Sequence, residues 1–404
     1  MKIKKSSVQQ VFIIMAIDFV SIDPLMPLVL SLSNQNTTVK LIFQTRQSMQ
    51  LITFVKDKSP WWLFIKSNLK IDCFESGSRS KLCRKIFRVF KKALFYFTVK
   101  CNKNALYFIP SKSIRNQPFF KLRFHPNIWF YMSNGLYYAG WLDKMNIRYN
   151  NPKYRAFLQK PAIIKKNSKI KVRNFLALSD EILNSKNNGI SWDKGKVLPF
   201  PSMQKWWYNY LKTVPSLFAD ERLNKENGFI TIVLLRKGNY FFAEGSDCDV
   251  LLDEIVATIR KVFPSTLIAV KPKIEFINNE RKYWFNEGSI RKRYNDNKII
   301  MTYEPITLLS HKTIFAVSTL QSSGNFFFLS NGVPVIEYGR YSKEWIELCP
   351  EKTIISEFGG IFIEDINSLE STVRDIESIK VDLGLVKKRI KFKEVPLDIS
   401  QFKS

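Results

Sequence analysis

The sequence predicts an α/β fold in which strands and helices alternate through two domains. Three observations predict it. In the second half, the apolar runs Phe229 to Leu235, Thr266 to Val270 and Thr313 to Ser318 alternate with a helix-period stretch, Asp249 to Phe263, as in a parallel sheet with crossover helices on both faces. The first half opens the same way, with Val11 to Ile17 as a buried strand, a helix from Asp23-Pro24 through Leu32, and Val39 to Phe43 as the next strand. Finally, 404 residues suit two or three domains, and 45% hydrophobic with 14% aromatic residues can fill their cores.

Composition narrows the partners. With 63 Lys+Arg against 35 Asp+Glu, the formal net charge is +28, which points to an anionic partner such as a membrane surface, nucleic acid or a phosphate-bearing substrate. The abundance of Lys, Asn, Ile and Phe is also what an AT-rich coding bias produces. The five cysteines are scattered without CxxC spacing, so neither a disulfide framework nor a zinc site is expected. Lys2 to Lys5 followed by Val11 to Ile17 imitates a secretion signal, but Asp18, Asp23, Pro24 and Pro27 interrupt it and no Ala-x-Ala cleavage pattern follows. No stretch reaches the roughly 18–20 apolar residues of a membrane span. The expected location is cytoplasmic, either free or peripheral on the inner face of the membrane.

The middle of the first half is less legible. Phe64 to Phe74 holds a candidate strand and Ala105 to Ile109 a clearer one. Between them, Ser80 to Lys100 repeats Leu82, Ile86, Phe90, Ala93 and Phe97 at helical spacing, with Arg84, Lys85, Arg88, Lys91 and Lys92 largely on the other side. Such a helix either lies on the protein's own core with a solvated basic face, or attaches through Lys81 to Lys100 to an anionic membrane surface. Phe119 to Tyr138 is aromatic-rich and includes His125. Asn151 to Asn188 resembles surface connections more than core, and Lys194 to Glu226 resembles interdomain material. The expected domains are 1–195 and 228–385, with a connection at 196–227 and a C-terminal tail at 386–404.

Chemistry concentrates in Thr313 to Gly339. A strand opens into Gln321, Ser322, Ser323 and Gly324, a helix follows over Asn325 to Ser330, Asn331-Gly332 stops it, and Pro334 to Tyr338 is the next strand. A hydroxyl-rich turn at a helix N-terminus either binds an anion such as phosphate or simply caps the helix. Ligands of open parallel sheets collect at the carboxyl ends of the strands. Here those ends carry Arg236, Lys237, Gly238, Lys271, Pro272, Lys273 and the Gln321 to Gly324 turn. Together they make a candidate phosphate site. Asp247 and Asp249 have Asp-x-Asp spacing, but Cys248 and a helix start make capping the simpler role. No metal and no cofactor are expected.

The order of these elements, with Lys271-Pro272, Ser322-Ser323 and Gly332-Val333-Pro334-Val335-Ile336-Glu337-Tyr338, resembles the second domain of two-Rossmann-domain (GT-B) glycosyltransferases. It is most similar to the bacterial capsule and lipopolysaccharide enzymes, including the sialyl-, Kdo- and CDP-glycerol-type transferases. The resemblance implies two Rossmann-like domains facing a central cleft. It implies a metal-independent transfer from a nucleotide-sugar donor, CMP- or CDP-linked, to a polysaccharide, lipopolysaccharide or lipid-linked glycan acceptor. In that group a Lys-Pro-His-Pro type motif and a Ser-Ser motif hold the donor. Lys271, Pro272, Ser322 and Ser323 match, whereas Lys273 stands where the histidine is expected and the second proline is absent. Glu337, just after the last clear strand, either accepts from ribose hydroxyls or is a surface carboxylate.

The base that deprotonates the acceptor is expected from the first domain, with Asp18 at the carboxyl end of its first strand as candidate and a turn residue as the simpler reading. Three other classes compete. An epimerase acting on UDP-sugars would lean on several carboxylates and histidines, and only His125 and His311 exist. A degenerate, non-catalytic transferase fits the Lys273 departure. A nucleic-acid-binding role lacks any zinc-finger, RRM or helix-turn-helix signature, and the cations run along the whole chain, so no nucleic acid is expected.

Overall fold

The computed structural model describes residues 10–15, 37–44, 69–74, 80–114, 119–131, 170–177, 183, 190–197, 204–212, 218, 220–234, 242–246, 248–272, 274–277, 280–283, 287–302, 304–319, 322, 324–348, 353, 355–389 and 402. The chain divides into two compact units. One comprises Met1–Leu142, Ile164–Asn209 and Lys391–Ser404, the other Asp143–Ile163 and Tyr210–Ile390.

The first unit is built on a seven-stranded parallel sheet. Its strands are β1 (Gln10–Met15), β2 (Thr38–Phe43), β3 (Leu69–Cys73), β4 (Ala105–Pro110), β5 (Ile128–Tyr131), β6 (Ile170–Ala177) and β7 (Ile190–Val197). They lie in the order β3-β2-β1-β4-β5-β6-β7. Every pairing is parallel. All six residues of β4 are buried, which is why Ala105 to Ile109 reads as a continuous apolar run rather than an alternating one. Helix α1 (Lys81–Cys101) packs on the sheet through Phe95 and Val99. Phe95 meets Tyr107 edge-on at 5.7 Å, and Tyr107 in turn stacks on Phe12 at 4.9 Å.

Two stretches depart from expectation. Residues 151–188, read as surface connections, contain β6, whose Val172, Asn174, Phe175, Leu176 and Ala177 are all buried. The Asn174 amide donates to the carbonyls of Pro126 and Ile128 at 2.7 and 2.9 Å. Phe402, in the stretch read as a tail, is buried in the first unit, where it meets Trp129 and Phe108 edge-on and its carbonyl accepts from Trp129 Nε1 at 2.8 Å. The expected helix at Asp23 to Leu32 lies outside the described residues.

Helices α2 (Lys205–Lys212) and α3 (Glu221–Lys225) precede the second sheet. Its strands are β8 (Phe229–Leu234), β9 (Ile268–Pro272), β12 (Ile299–Met301), β13 (Thr313–Ser318), β14 (Val335–Tyr338) and β15 (Ile361–Ile363), with the antiparallel pair β10 (Ile274–Ile277) and β11 (Glu280–Tyr283) apart from it. The order is β12-β9-β8-β13-β14-β15, again parallel throughout. Helix α4 (Cys248–Val262) covers one face, burying Leu251, Leu252, Ile255 and Ile259 against Ile232, Val270, Val317 and Ile336. Between the strands run α5 (Glu287–Tyr294), α6 (Ile306–Leu309), α7 (Asn325–Ser330) and α8 (Lys343–Leu348), and α9 (Ile366–Arg374) and α10 (Leu383–Arg389) follow β15. Helix α7 ends where the sequence predicts, at Asn331-Gly332, because Gly332 takes φ +78° and Val333 N–H turns back to the Phe328 carbonyl.

Numbered within each unit, both sheets follow the order 3-2-1-4-5-6, extended in the first by a seventh strand. That is the doubly wound order of dinucleotide-binding folds. Both units are Rossmann-like. No helix among the described residues is long and apolar enough to cross a membrane.

Candidate functional site

In the second unit the register fixes where side chains meet. Lys271 on β9, Val233 on β8, Ser318 on β13, Glu337 on β14 and Phe362 on β15 pair laterally in a single row. Residues in one row of a parallel sheet share a face. Their neighbours Ile232, Val317 and Ile336 face α4, so the row points to the opposite face, within one residue of the carboxyl ends of these four inner strands. It crosses the point between β8 and β13 where the strand order reverses, the ligand crevice of such sheets.

Three of the row's five residues are polar and buried. Lys271 is 7% exposed and Ser318 and Glu337 are fully buried. Ser318 Oγ accepts from Asn325 Nδ2 at 2.9 Å, and Asn325, the first residue of α7, is itself fully buried. Glu337 Oε1 accepts from the Tyr341 phenol at 2.6 Å, while Oε2 has no hydrogen-bond partner among the described residues. Burial pushes the Glu337 carboxyl up to about 7, against the hydroxyls of Tyr341 and Thr353, which favour its charged form. Tyr341 is set by parallel stacking with Phe362 at 5.7 Å and Phe242 at 6.2 Å. Glu337 is therefore no surface residue. It lies inside β14, and a pattern that alternates apolar and polar along a strand cannot show that both faces are covered.

Ser322 folds the turn that leads into α7, whose N-cap position, Gly324, has no side-chain cap hydrogen bond. The Ser322 Oγ accepts from Gly324 N–H at 3.2 Å, and its carbonyl from Asn325 N–H at 3.0 Å. Phe327 N–H is occupied by the Gly324 carbonyl. Helix α7 has six residues, and three of its first donors are engaged internally, so the expectation of free N–H groups at this turn is not met at Gly324, Asn325 and Phe327. A Cβ at Gly324 would come within 2.3 Å of Ile306 Cδ1, so the end of that half-buried side chain would have to move aside. Pro272 pairs with Leu234 at the ends of β9 and β8. Arg236, Lys237, Gly238, Lys273, Gln321, Ser323 and Asp18 lie outside the described residues.

With this geometry in place, the chain can be set beside known proteins. Solved structures similar to it include a UDP-N-acetylglucosamine 2-epimerase (13% identity, TM-score 0.48, 96% of this chain and 91% of that one). The spinosyn forosaminyltransferase SpnP is similar at 9% identity and a TM-score of 0.47, covering 95% of each chain. TcCGT1 in complex with UDP is similar at 11% and 0.46, covering 95% and 92%. The likeness is one of fold. No protein-family model matches the chain, and no curated protein matches it in sequence.

Each histidine sits at the edge of its own sheet opposite the carboxyl ends of the strands. His311 precedes β13 and His125 precedes β5, which places each at the amino end of its strand. Burial, with Lys100 and Arg173 nearby, pulls the His125 pKa down, and its Nδ1 accepts from Asn127 N–H at 3.3 Å. Among the described residues no group of three or more His, Cys, Asp or Glu is placed to hold a metal ion. In the first unit, Tyr131 at the carboxyl end of β5 donates to the Ile14 carbonyl at 2.8 Å. A cavity of about 270 Å³ lies between the β1-β2-β3 face and α1, with Asp72 paired to Lys40 at 3.0 Å and Lys91 at 3.2 Å. Burial works against the Asp72 charge, but Lys40, the Cys73 N–H and Lys91 hold its pKa below the usual range.

Sequence reasoning missed Ser318, Asn325, Tyr341 and Thr353. Ser318 and Asn325 were absorbed into an apolar strand and an apolar helix, and only their pairing across the turn reveals a polar network.

Proposed function

We propose that the chain is a glycosyltransferase that binds a nucleotide-activated donor at the carboxyl edge of the second sheet. The observation that supports this most is the buried row Lys271, Ser318 and Glu337 at the strand-order reversal of a Rossmann-like sheet. In this reading Lys271 faces the donor phosphates. Lys273, directly after β9, and Arg236 and Lys237, just after β8, add cations, and Ser322 and Ser323 supply hydroxyls. Glu337 Oε2 takes a ribose hydroxyl. The reaction then needs the departing nucleotide's charge neutralised by these cations and one acceptor proton removed. The position of both histidines favours a carboxylate base, and Asp18, after β1, is the proposed one. The donor is proposed as CMP- or CDP-linked and the acceptor as a cell-surface polysaccharide or lipopolysaccharide.

A thermal-shift screen with CMP, CDP, UDP and GDP tests the donor, because a ligand selective for the native state raises apparent stability. The largest shift is expected from a cytidine nucleotide, and absence of any shift would remove the transferase reading. In Lys271→Ala, loss of a charge-assisted contact of about 1.5–3 kcal/mol should weaken the nucleotide roughly 10- to 100-fold. The double variant Ser322→Ala, Ser323→Ala separates folding of the turn from binding. A lowered melting temperature with unchanged nucleotide affinity would leave the turn a structural role only.

Asp18→Asn should cut turnover while preserving donor affinity. Near-normal turnover in that variant would eliminate Asp18 as the base.

A further inference from the structure

Helix α1 is docked the opposite way from an ordinary surface helix. Leu82, Ile86, Val89, Phe90, Leu94 and Phe97 are each between 51% and 67% exposed, whereas Lys91 turns toward the sheet to pair with Asp72. The expectation of an apolar face on the core with a solvated basic face is thereby overturned. The six apolar side chains form one stripe along a helix about 30 Å long, more contiguous apolar surface than a monomer ordinarily leaves in water.

We propose that this stripe seats the protein on the surface of an anionic bilayer, with α1 lying in the interfacial plane. Charge complementarity selects the occupant. Residues 81–101 contain no Asp or Glu, and Lys85 and Lys100 are exposed beside the stripe. On the flank at Leu94 opens the cavity lined by the exposed Lys70 and by Lys40 and Lys91, the last two paired with Asp72. Cations therefore border the stripe at headgroup level while Leu82, Ile86, Val89, Phe90 and Phe97 enter the acyl boundary. A second copy of this chain would bring another +28 to the same surface, and like charge opposes that pairing. An anionic lipid surface instead attracts each Lys and Arg.

Flotation of the full chain with vesicles tests the proposal. Binding is expected to vesicles of phosphatidylcholine containing phosphatidylglycerol, to weaken in high salt, and to be much poorer for phosphatidylcholine alone. The triple variant Ile86→Glu, Phe90→Glu, Phe97→Glu should lose affinity by on the order of 100-fold or more, with its circular dichroism unchanged because all three side chains point to solvent. An environment-sensitive fluorophore on the exposed Cys83, in a Cys101→Ser, Cys349→Ser background, should brighten only with the anionic vesicles. Failure of the wild type to float with them would overturn the proposal. So would equal binding by the triple variant, or lipid-free self-association in sedimentation velocity that the triple variant abolishes.

Discussion

Glu337→Gln is expected to stabilise the second domain by about 3 kcal/mol at pH 8 and to leave it nearly unchanged at pH 4. Burial raises the Glu337 carboxyl from 4.5 to about 7 in the folded chain. Between those values the folded state holds a proton that the unfolded state has released, so wild-type stability falls as pH rises through the window and levels off above it. About 2.5 pH units at roughly 1.36 kcal/mol each gives the magnitude. Glutamine keeps the size and an acceptor for the Tyr341 phenol, which donates at 2.6 Å, but carries no charge to desolvate. Paired denaturant titrations of wild type and variant at the two pH values measure the difference. A variant less stable than wild type at pH 8 would mean that the charged carboxylate has partners beyond Tyr341 and Thr353. The same residue links pH to the proposed ligand, because a ribose hydroxyl donating to Oε2 favours the charged form. Nucleotide affinity should therefore rise with pH through about 7, and that rise should flatten in the variant.

Phe402→Ala should cost the first unit about 3–5 kcal/mol, the range for removing a fully buried aromatic ring. The ring is 1% exposed and touches Trp129 and Phe108 at 5.3 and 5.5 Å. Its loss opens a void beside two of the bulkiest core residues and loosens the chain whose carbonyl takes the Trp129 indole. Amide exchange resolved by segment is the suitable measurement, with protection expected to drop in β4, β5 and β6 and to persist in β8, β9 and β13. Uniform loss across both units, or no loss, would contradict this account.

The second unit was legible in sequence because its strands are covered on both faces. Phe229–Leu234 and Thr313–Ser318 read as mainly apolar runs, buried at every position except Ile314, and the α4 stripe repeats at helical spacing. Strand β7, Ile190–Val197, closes the first sheet and has no fully buried residue, so its sequence ISWDKGKV carries no such signal. Strand β6 was hidden by the lysines that precede it. At the site, Lys271 and Ser322 were visible as residue types at strand ends. The burial of Glu337 and the Ser318–Asn325 pair depend on lateral register, which no local pattern encodes. For α1 the sequence showed two faces correctly but not which one meets the sheet. That choice is made by Asp72 drawing in Lys91 and by Phe74 and Tyr107 receiving Phe95.

The division of the chain also bears on its synthesis. Because Lys391–Ser404 belongs to the first unit while the second ends at Ile390, Phe402 leaves the ribosome after every strand of the second sheet. Domains fold as units while the chain is being made. The nascent first unit therefore keeps an open slot beside Trp129 until the segment carrying Phe402 arrives to fill it, after the strands of the second sheet have been made.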